Sequence, residues 1–151
     1  MSRTTNYFKV LLANGIINFD DPAGGGDEFR IILMQPGFVF DRASHITYGD
    51  VSPNEIAGGT GYSVGGNLLV HHDLIQDDVL NASIKSWNNA QWTAAGGNIV
   101  AGSAIIYDET VAAPVNNPIV GVINFAGTLT TQDGGTFTIA NIAIAIRDRQ
   151  A

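Results

Sequence analysis

Ile99-Val100-Ala101-Gly102-Ser103-Ala104-Ile105-Ile106-Tyr107, Pro118-Ile119-Val120-Gly121-Val122-Ile123-Asn124-Phe125, Phe137-Thr138-Ile139 and Ile142-Ala143-Ile144-Ala145-Ile146 are apolar runs within one stretch, Ser86 to Ile146. That stretch carries only three charged residues, Asp108, Glu109 and Asp133, and none between Ser86 and Tyr107. Each run is short, rich in β-branched residues and bounded by Gly, Asn, Pro or Asp, the pattern of successive strands joined by turns. Asp133-Gly134-Gly135 adds a hairpin signal. Thr136 to Ile146 reads as a single last strand with Ile142, Ile144 and Ile146 on one face and Ala143 and Ala145 on the other. A strand apolar on both faces is normally covered on both, and a second subunit is a natural cover.

The same reading extends towards the N-terminus. Phe29-Arg30-Ile31-Ile32-Leu33-Met34 is a central strand, buried on most of both faces, and Asn67 to Ile75 and Val79 to Lys85 are further strands. Tyr7 to Leu12 reads as a strand or a short helix, and Asp41 to Asp50 as a helical turn with His45 and Tyr48 three apart. Residues 1–6 are polar and are expected to form a flexible arm, with 7–151 as one β domain. The expected fold is mainly β, an antiparallel β-sandwich or jelly-roll-like barrel with one or two short helices near Asp41 to Asp50.

Composition narrows the function classes. The chain has 151 residues, 14 % of them charged, against about 25 % in typical domains. Interface cores are depleted in charge, so an uncharged surface here is expected to meet another chain. The net charge of −7 and the seven basic residues, with Arg147 and Arg149 the nearest thing to a cluster, argue against direct nucleic-acid binding. The absence of cysteine excludes thiol chemistry. No apolar run reaches about 18 residues. Met1 to Leu12 has no long apolar core of a signal peptide, so no membrane partner and synthesis in a host cytoplasm are expected.

No motif rises to a catalytic, cofactor or metal site. Asp20-Asp21-Pro22-Ala23-Gly24-Gly25-Gly26-Asp27-Glu28 gathers four carboxylates, but it lacks the ligand spacing of a calcium loop and reads as a solvated turn. Gly58-Gly59-Thr60-Gly61-Tyr62-Ser63-Val64-Gly65-Gly66 has neither the strand–loop–helix context nor the Lys-Ser or Lys-Thr of a phosphate cradle. Its glycines read as sites of close backbone approach. His71 and His72 are adjacent on a strand and point to opposite faces. Asn81-Ala82-Ser83 matches a glycosylation acceptor only by chance in a chain without a secretory signal. Trp87 and Trp92 flank an expected turn and read as core or subunit-contact side chains, with a sugar platform as the alternative.

Between Phe8 and Ile139 the order of these pieces resembles a family of small tailed-bacteriophage virion proteins. The resemblance rests on Phe29-Arg30-Ile31-Ile32-Leu33, then Glu55-Ile56-Ala57-Gly58-Gly59-Thr60-Gly61-Tyr62-Ser63-Val64-Gly65-Gly66, Ser86-Trp87, Trp92-Thr93-Ala94-Ala95 and Ala104-Ile105-Ile106-Tyr107-Asp108. Pro118-Ile119-Val120-Gly121-Val122-Ile123-Asn124-Phe125-Ala126-Gly127 and Gly134-Gly135-Thr136-Phe137-Thr138-Ile139 complete it. The chain departs from the family at Ala95-Gly96-Gly97, where many relatives place an Arg, and at its Ile/Ala strand, where they carry a polar tail with a Trp.

The resemblance implies a non-enzymatic virion structural protein without cofactor. The expected role is capsid decoration: a cement protein that binds the major capsid protein or other virion proteins as a homo-oligomer, a trimer being favoured. A tail-fibre, collar or adaptor component contacting host glycans is the alternative. The expected location is the virion. Trp87, Trp92, Ile142, Ile144 and Ile146 are the expected subunit or partner contacts.

Overall fold

The computed structural model describes residues 2–147. Ten strands and two short helices follow the chain: β1 Ser2–Thr4, α1 Asn6–Ala13, β2 Phe29–Met34, α2 Tyr48–Val51, β3 Asn67–Leu69, β4 His71–Asp77, β5 Ala82–Trp87, β6 Ala90–Thr93, β7 Ile99–Asp108, β8 Ile119–Thr131, β9 Thr136–Ile139 and β10 Ala143–Arg147. All strand pairs are antiparallel. They form a five-stranded sheet in the order β1-β8-β7-β2-β3, a three-stranded sheet β10-β5-β4 and a pair β6-β9. The protein is thus mainly β, with its antiparallel sheets packed as a sandwich.

Alternation along β2 explains its unbroken hydrophobicity. Phe29, Ile31 and Leu33 face a main core shared with α1 (Phe8, Leu11), the smaller sheets (Trp87, Trp92, Phe137) and Ile144. Ile32 and Met34 face the other way, into a second core with Ile105, Tyr107, Ile119 and Val122, closed by Val51 and by Phe38, Phe40 and Tyr48. The large sheet is therefore buried on both faces, and β2 has no solvent side to make polar. Gly121 lets the two sheets approach: an added Cβ there would lie 3.3 Å from Ile144 Cδ1.

Four expectations are corrected. Residues 2–4 are not a flexible arm. Ser2 pairs with Ile123 and Thr4 with Gly121, at the edge of the large sheet. Thr5 is fully buried, its Oγ1 donating to the Ile119 carbonyl and accepting from the Phe8 N–H to cap α1. Thr136 to Ile146 is not one strand: Asn141, at φ 54°, turns the chain, so that β9 pairs with β6 and β10 with β5. Asparagine tolerates that left-handed conformation better than other non-glycine residues. Asp133-Gly134-Gly135, with Gly134 at φ 83°, turns the chain between different sheets instead of closing a hairpin. The helical turn expected at Asp41 to Asp50 is confined to Tyr48–Val51 and is followed by a 3-10 turn, Ser52–Asn54.

The Gly-rich segment is structural. The Glu55 carboxylate, 5 % exposed, accepts from Tyr62 Oη (2.5 Å), Tyr48 Oη (2.7 Å) and the Gly65 N–H (2.7 Å). Tyr62 Oη in turn accepts from the buried Leu33 N–H at 3.1 Å. Gly66 passes so close to β2 that a Cβ would sit 1.9 Å from the Ile31 carbonyl oxygen.

Candidate functional site

The residues expected to contact a partner lie in the core. Trp87 and Trp92 are each 4 % exposed, and Ile142 and Ile144 are fully buried. Trp87 packs edge-on to Phe29 (5.3 Å) and Phe19 (6.0 Å), and Trp92 against Tyr62 (6.0 Å) and Phe137 (6.2 Å). Large aromatics bury more apolar area than any other side chain, and this chain uses both indoles inside itself. Only Ile146 is half-buried. The other face of β10 presents the small side chains of Ala143 and Ala145 and has no need of a subunit to cover it. Arg149 lies outside the described residues.

The exposed apolar surface is elsewhere. Among the described residues ten large apolar side chains are exposed, and six of them fall between residues 68 and 80: Leu68, Val70, Leu74, Ile75, Val79 and Leu80. Val79, at the tip between β4 and β5, is 91 % exposed. The tip is shaped by Asp77, whose Oδ1 accepts from the Val79 and Leu80 N–H groups at 3.0 and 2.9 Å, and by Asn81 at φ 46°. β4 is the outer strand of its sheet, and Ile75 lines a groove of about 440 Å³ with Leu12, Phe19 and Ile146. Exposed apolar side chains gathered on an outer strand mark interaction sites. A signal for it stands in the sequence: His71-His72-Asp73-Leu74-Ile75-Gln76-Asp77 does not alternate, so neither face of that strand is fit for burial.

Beneath β4 lies a buried cation. Lys85, 1 % exposed, shares the inward face of β5 with Trp87. Its Nζ donates to the Phe19 carbonyl at 2.7 Å, meets His71 Nδ1, and sits 5.5 Å from the Trp87 ring centroid. Burial lowers the Lys85 pKa, an effect opposed by the carboxylates of Asp21, Asp20 and Asp73. His72 points away from this cluster, with Nδ1 3.3 Å from Ser86 Oγ. That pair is solvent-exposed, no carboxylate hydrogen-bonds the ring, and Ser86 Oγ also reaches the Asp73 carbonyl at 3.5 Å. A serine nucleophile needs its base oriented by a third group, and this pair lacks one. No group of three or more His, Cys, Asp or Glu side chains among the described residues is arranged to hold a metal ion.

A shallow cleft of about 630 Å³ opens beside Ser86 and is lined by His72, Asn88, Asn89, Gln91 and Asn141 around the edge of Trp87. Four amide side chains, Asn88, Asn89, Gln91 and Asn141, line it beside the apolar Ile142 and Ala143, and each of these amides both donates and accepts.

Compared with protein-family models, with curated proteins and with solved structures, the chain matches none.

Proposed function

We propose that this chain is a non-enzymatic structural component of a tailed-phage virion that decorates the capsid and stabilises the head shell as a homo-oligomer. The single observation that carries the reading at the level of geometry is the gathering of four exposed apolar side chains, Leu74, Ile75, Val79 and Leu80, on the β4–β5 hairpin. The ordered motifs from Phe29 to Ile139 supply the phage assignment. The mechanism is passive. Each copy lays the hairpin against the major capsid protein or another virion protein, and repeated weak contacts over many copies raise the cost of rupturing the shell. The contact surface is Leu74, Ile75, Val79 and Leu80, not the buried indoles.

The test is direct. Antibody raised against the purified chain is applied to intact particles from cells that make it. Regular labelling of heads supports the reading, and label confined to free protein removes it.

A second reading is favoured by the amide-lined cleft beside Trp87. An amide-rich, hydrogen-bonding wall with an indole edge suits a saccharide, which supports a tail-fibre, collar or adaptor role contacting host glycans. Saturable quenching of tryptophan fluorescence by a glycan panel, lost in Asn88→Ala, supports it. A flat titration across the panel removes it.

A further inference from the structure

A cavity of about 460 Å³ opens on the face of the large sheet that carries the second core, bounded by β1, β7, β8 and residues 38–42. Every polar side chain that lines it can donate a hydrogen bond, and no carboxylate lines it. Pairing of β1 with β8 sets Arg3 opposite Val122. Arg42 is tied to the same end of the chain: its Nε donates to the Thr4 carbonyl at 2.9 Å, and its terminal nitrogens have no partner among the described residues. Asn124 Oδ1 accepts from the Ala126 N–H at 2.8 Å, which leaves the amide NH2 as its free end. Ser103 is 4 % exposed, and its buried Oγ has no hydrogen-bond partner. A buried hydroxyl left unmet is destabilising and rare in folded chains. Among the described residues the one ion pair joins Arg30 to Glu109, so neither arginine of the cavity has a carboxylate, in a chain of net charge −7. Asp41, next to Arg42, turns its oxygens to the Ala43 N–H and to Ser44 Oγ.

The rest of the lining is apolar and held in place. Phe38 stacks on His45 with ring centroids 5.4 Å apart, Phe40 tilts against the same ring at 5.6 Å, and His45 Nδ1 accepts from the Asp41 N–H at 3.0 Å. The two phenyl rings and Val122 thus form a wall that is in place before anything binds. A cavity of this size, with a few convergent polar groups on an apolar wall, has the form of a small-ligand site. We propose that it binds a carboxylate carried on an apolar body. Arg3 and Arg42 hold the carboxylate, Ser103 Oγ and the Asn124 NH2 complete its hydrogen bonds, and the body lies against Phe38 and Phe40. Guanidinium groups match carboxylates in geometry as well as charge. Two like charges on one cavity repel each other, and an anion between them offsets that repulsion. The wall of phenyl rings is what separates such a ligand from a bare inorganic anion. A free small acid and an acidic side chain of a partner protein present the same chemistry. The inference does not rest on the β4–β5 hairpin, which belongs to a different sheet.

Isothermal titration calorimetry of the full chain tests the proposal with three probes: 3-phenylpropionate, its neutral amide 3-phenylpropanamide, and inorganic phosphate. The acid is expected to bind saturably, and the amide and phosphate each about tenfold more weakly or worse. Two variants place the site. Arg3→Gln removes one guanidinium whose side chain makes no hydrogen bond among the described residues, and Val39→Asp sets a carboxylate on a lining residue that is 81 % exposed. Each is expected to weaken the acid by about tenfold and to keep the melting temperature of the unaltered chain. A peptide blocked at both ends, with Glu beside Phe, separates the two sources. Binding tighter than that of the acid supports a partner's side chain, and weaker binding supports a small acid. No binding of the acid, equal binding of acid and amide, phosphate binding as tight as that of the acid, or binding unchanged in both variants overturns the proposal.

Discussion

Asp108 and Asp27 bring two buried carboxyl groups together where β2 begins and β7 ends. Asp108 Oδ1 accepts from the Thr110 and Val111 N–H groups at 2.8 and 3.0 Å, and Asp27 Oδ2 accepts from the Asn18 N–H at 2.6 Å. Asp108 Oδ2, also buried, meets no N–H or hydroxyl donor and lies beside the Asp27 carboxyl. Burial, helped by the Asp27 charge, pushes the Asp108 pKa up to about 7. A shared proton makes this contact attractive, and without it two anions are confined together.

Stability therefore depends on pH in a defined direction. The unfolded aspartic acid ionises near pH 3.9, roughly, and the folded Asp108 only near 7. Between these values the folded chain binds more protons than the unfolded one, so this pair's contribution to stability falls as pH rises through the window. Asp108→Asn keeps the acceptor for Thr110 and Val111 and gives Asp27 a permanent donor. It is expected to stabilise the chain by about 2 kcal/mol at pH 8 and to flatten the fall in melting temperature between pH 5 and pH 8, roughly. Thermal melts followed by circular dichroism across that range check both.

The Glu55 carboxylate anchors the glycine-rich segment through three donors, two of them hydroxyls whose acidity it suppresses. Burial raises the pKa of Tyr62 and Tyr48, and the hydrogen bond to the Glu55 anion raises it further. Glu55→Gln replaces one acceptor with a donor facing a donor, at an expected cost of about 2 kcal/mol. Tyr62→Phe strands the Leu33 N–H as well as Glu55, and the double variant is expected to cost less than the sum of the two. Urea denaturation of the three variants reads the coupling.

Glycine is required at position 66 by space as well as by angle. Gly66 has φ +68° and the Ile31 carbonyl 1.9 Å from its would-be Cβ, whereas Gly96, at φ +77°, has nothing within 4 Å. Gly96→Ala is expected to cost about 1 kcal/mol for its backbone angle alone. Gly66→Ala must push β2 away from the loop, at about 4 kcal/mol or more. Comparing their denaturation midpoints separates the two terms.

Much of the fold is legible in local chemistry. Phe29–Met34, Ile99–Asp108 and the strand beginning at Ile119 are buried β-branched runs between turn residues, and burial on both faces of the large sheet is what makes them continuous. Helix α1 was half legible: Tyr7 to Leu12 suits a strand or a helix, and Thr5 as a buried cap decides it. The break at Asn141 was not legible, because Ile139 and Ile142 are equally apolar and only a backbone angle separates two strands that join different sheets. The site followed a similar division. Tryptophans and isoleucines advertise burial without saying what covers them, and here the chain's own core does. Lys85 is enclosed without a local signal, because its ammonium reaches the Phe19 carbonyl, a partner 66 residues away. The β4–β5 hairpin shows itself only through failed alternation in β4, a weaker signal than any motif.

The central claim is that this hairpin joins the chain to a phage particle. The most direct measurement is co-sedimentation of purified chain with heads stripped of it, comparing the unaltered protein with a folded Val79→Asp/Leu80→Asp variant. Saturable binding of the unaltered chain that the double variant loses is the predicted result. Equal binding by both, or binding by neither, contradicts the account.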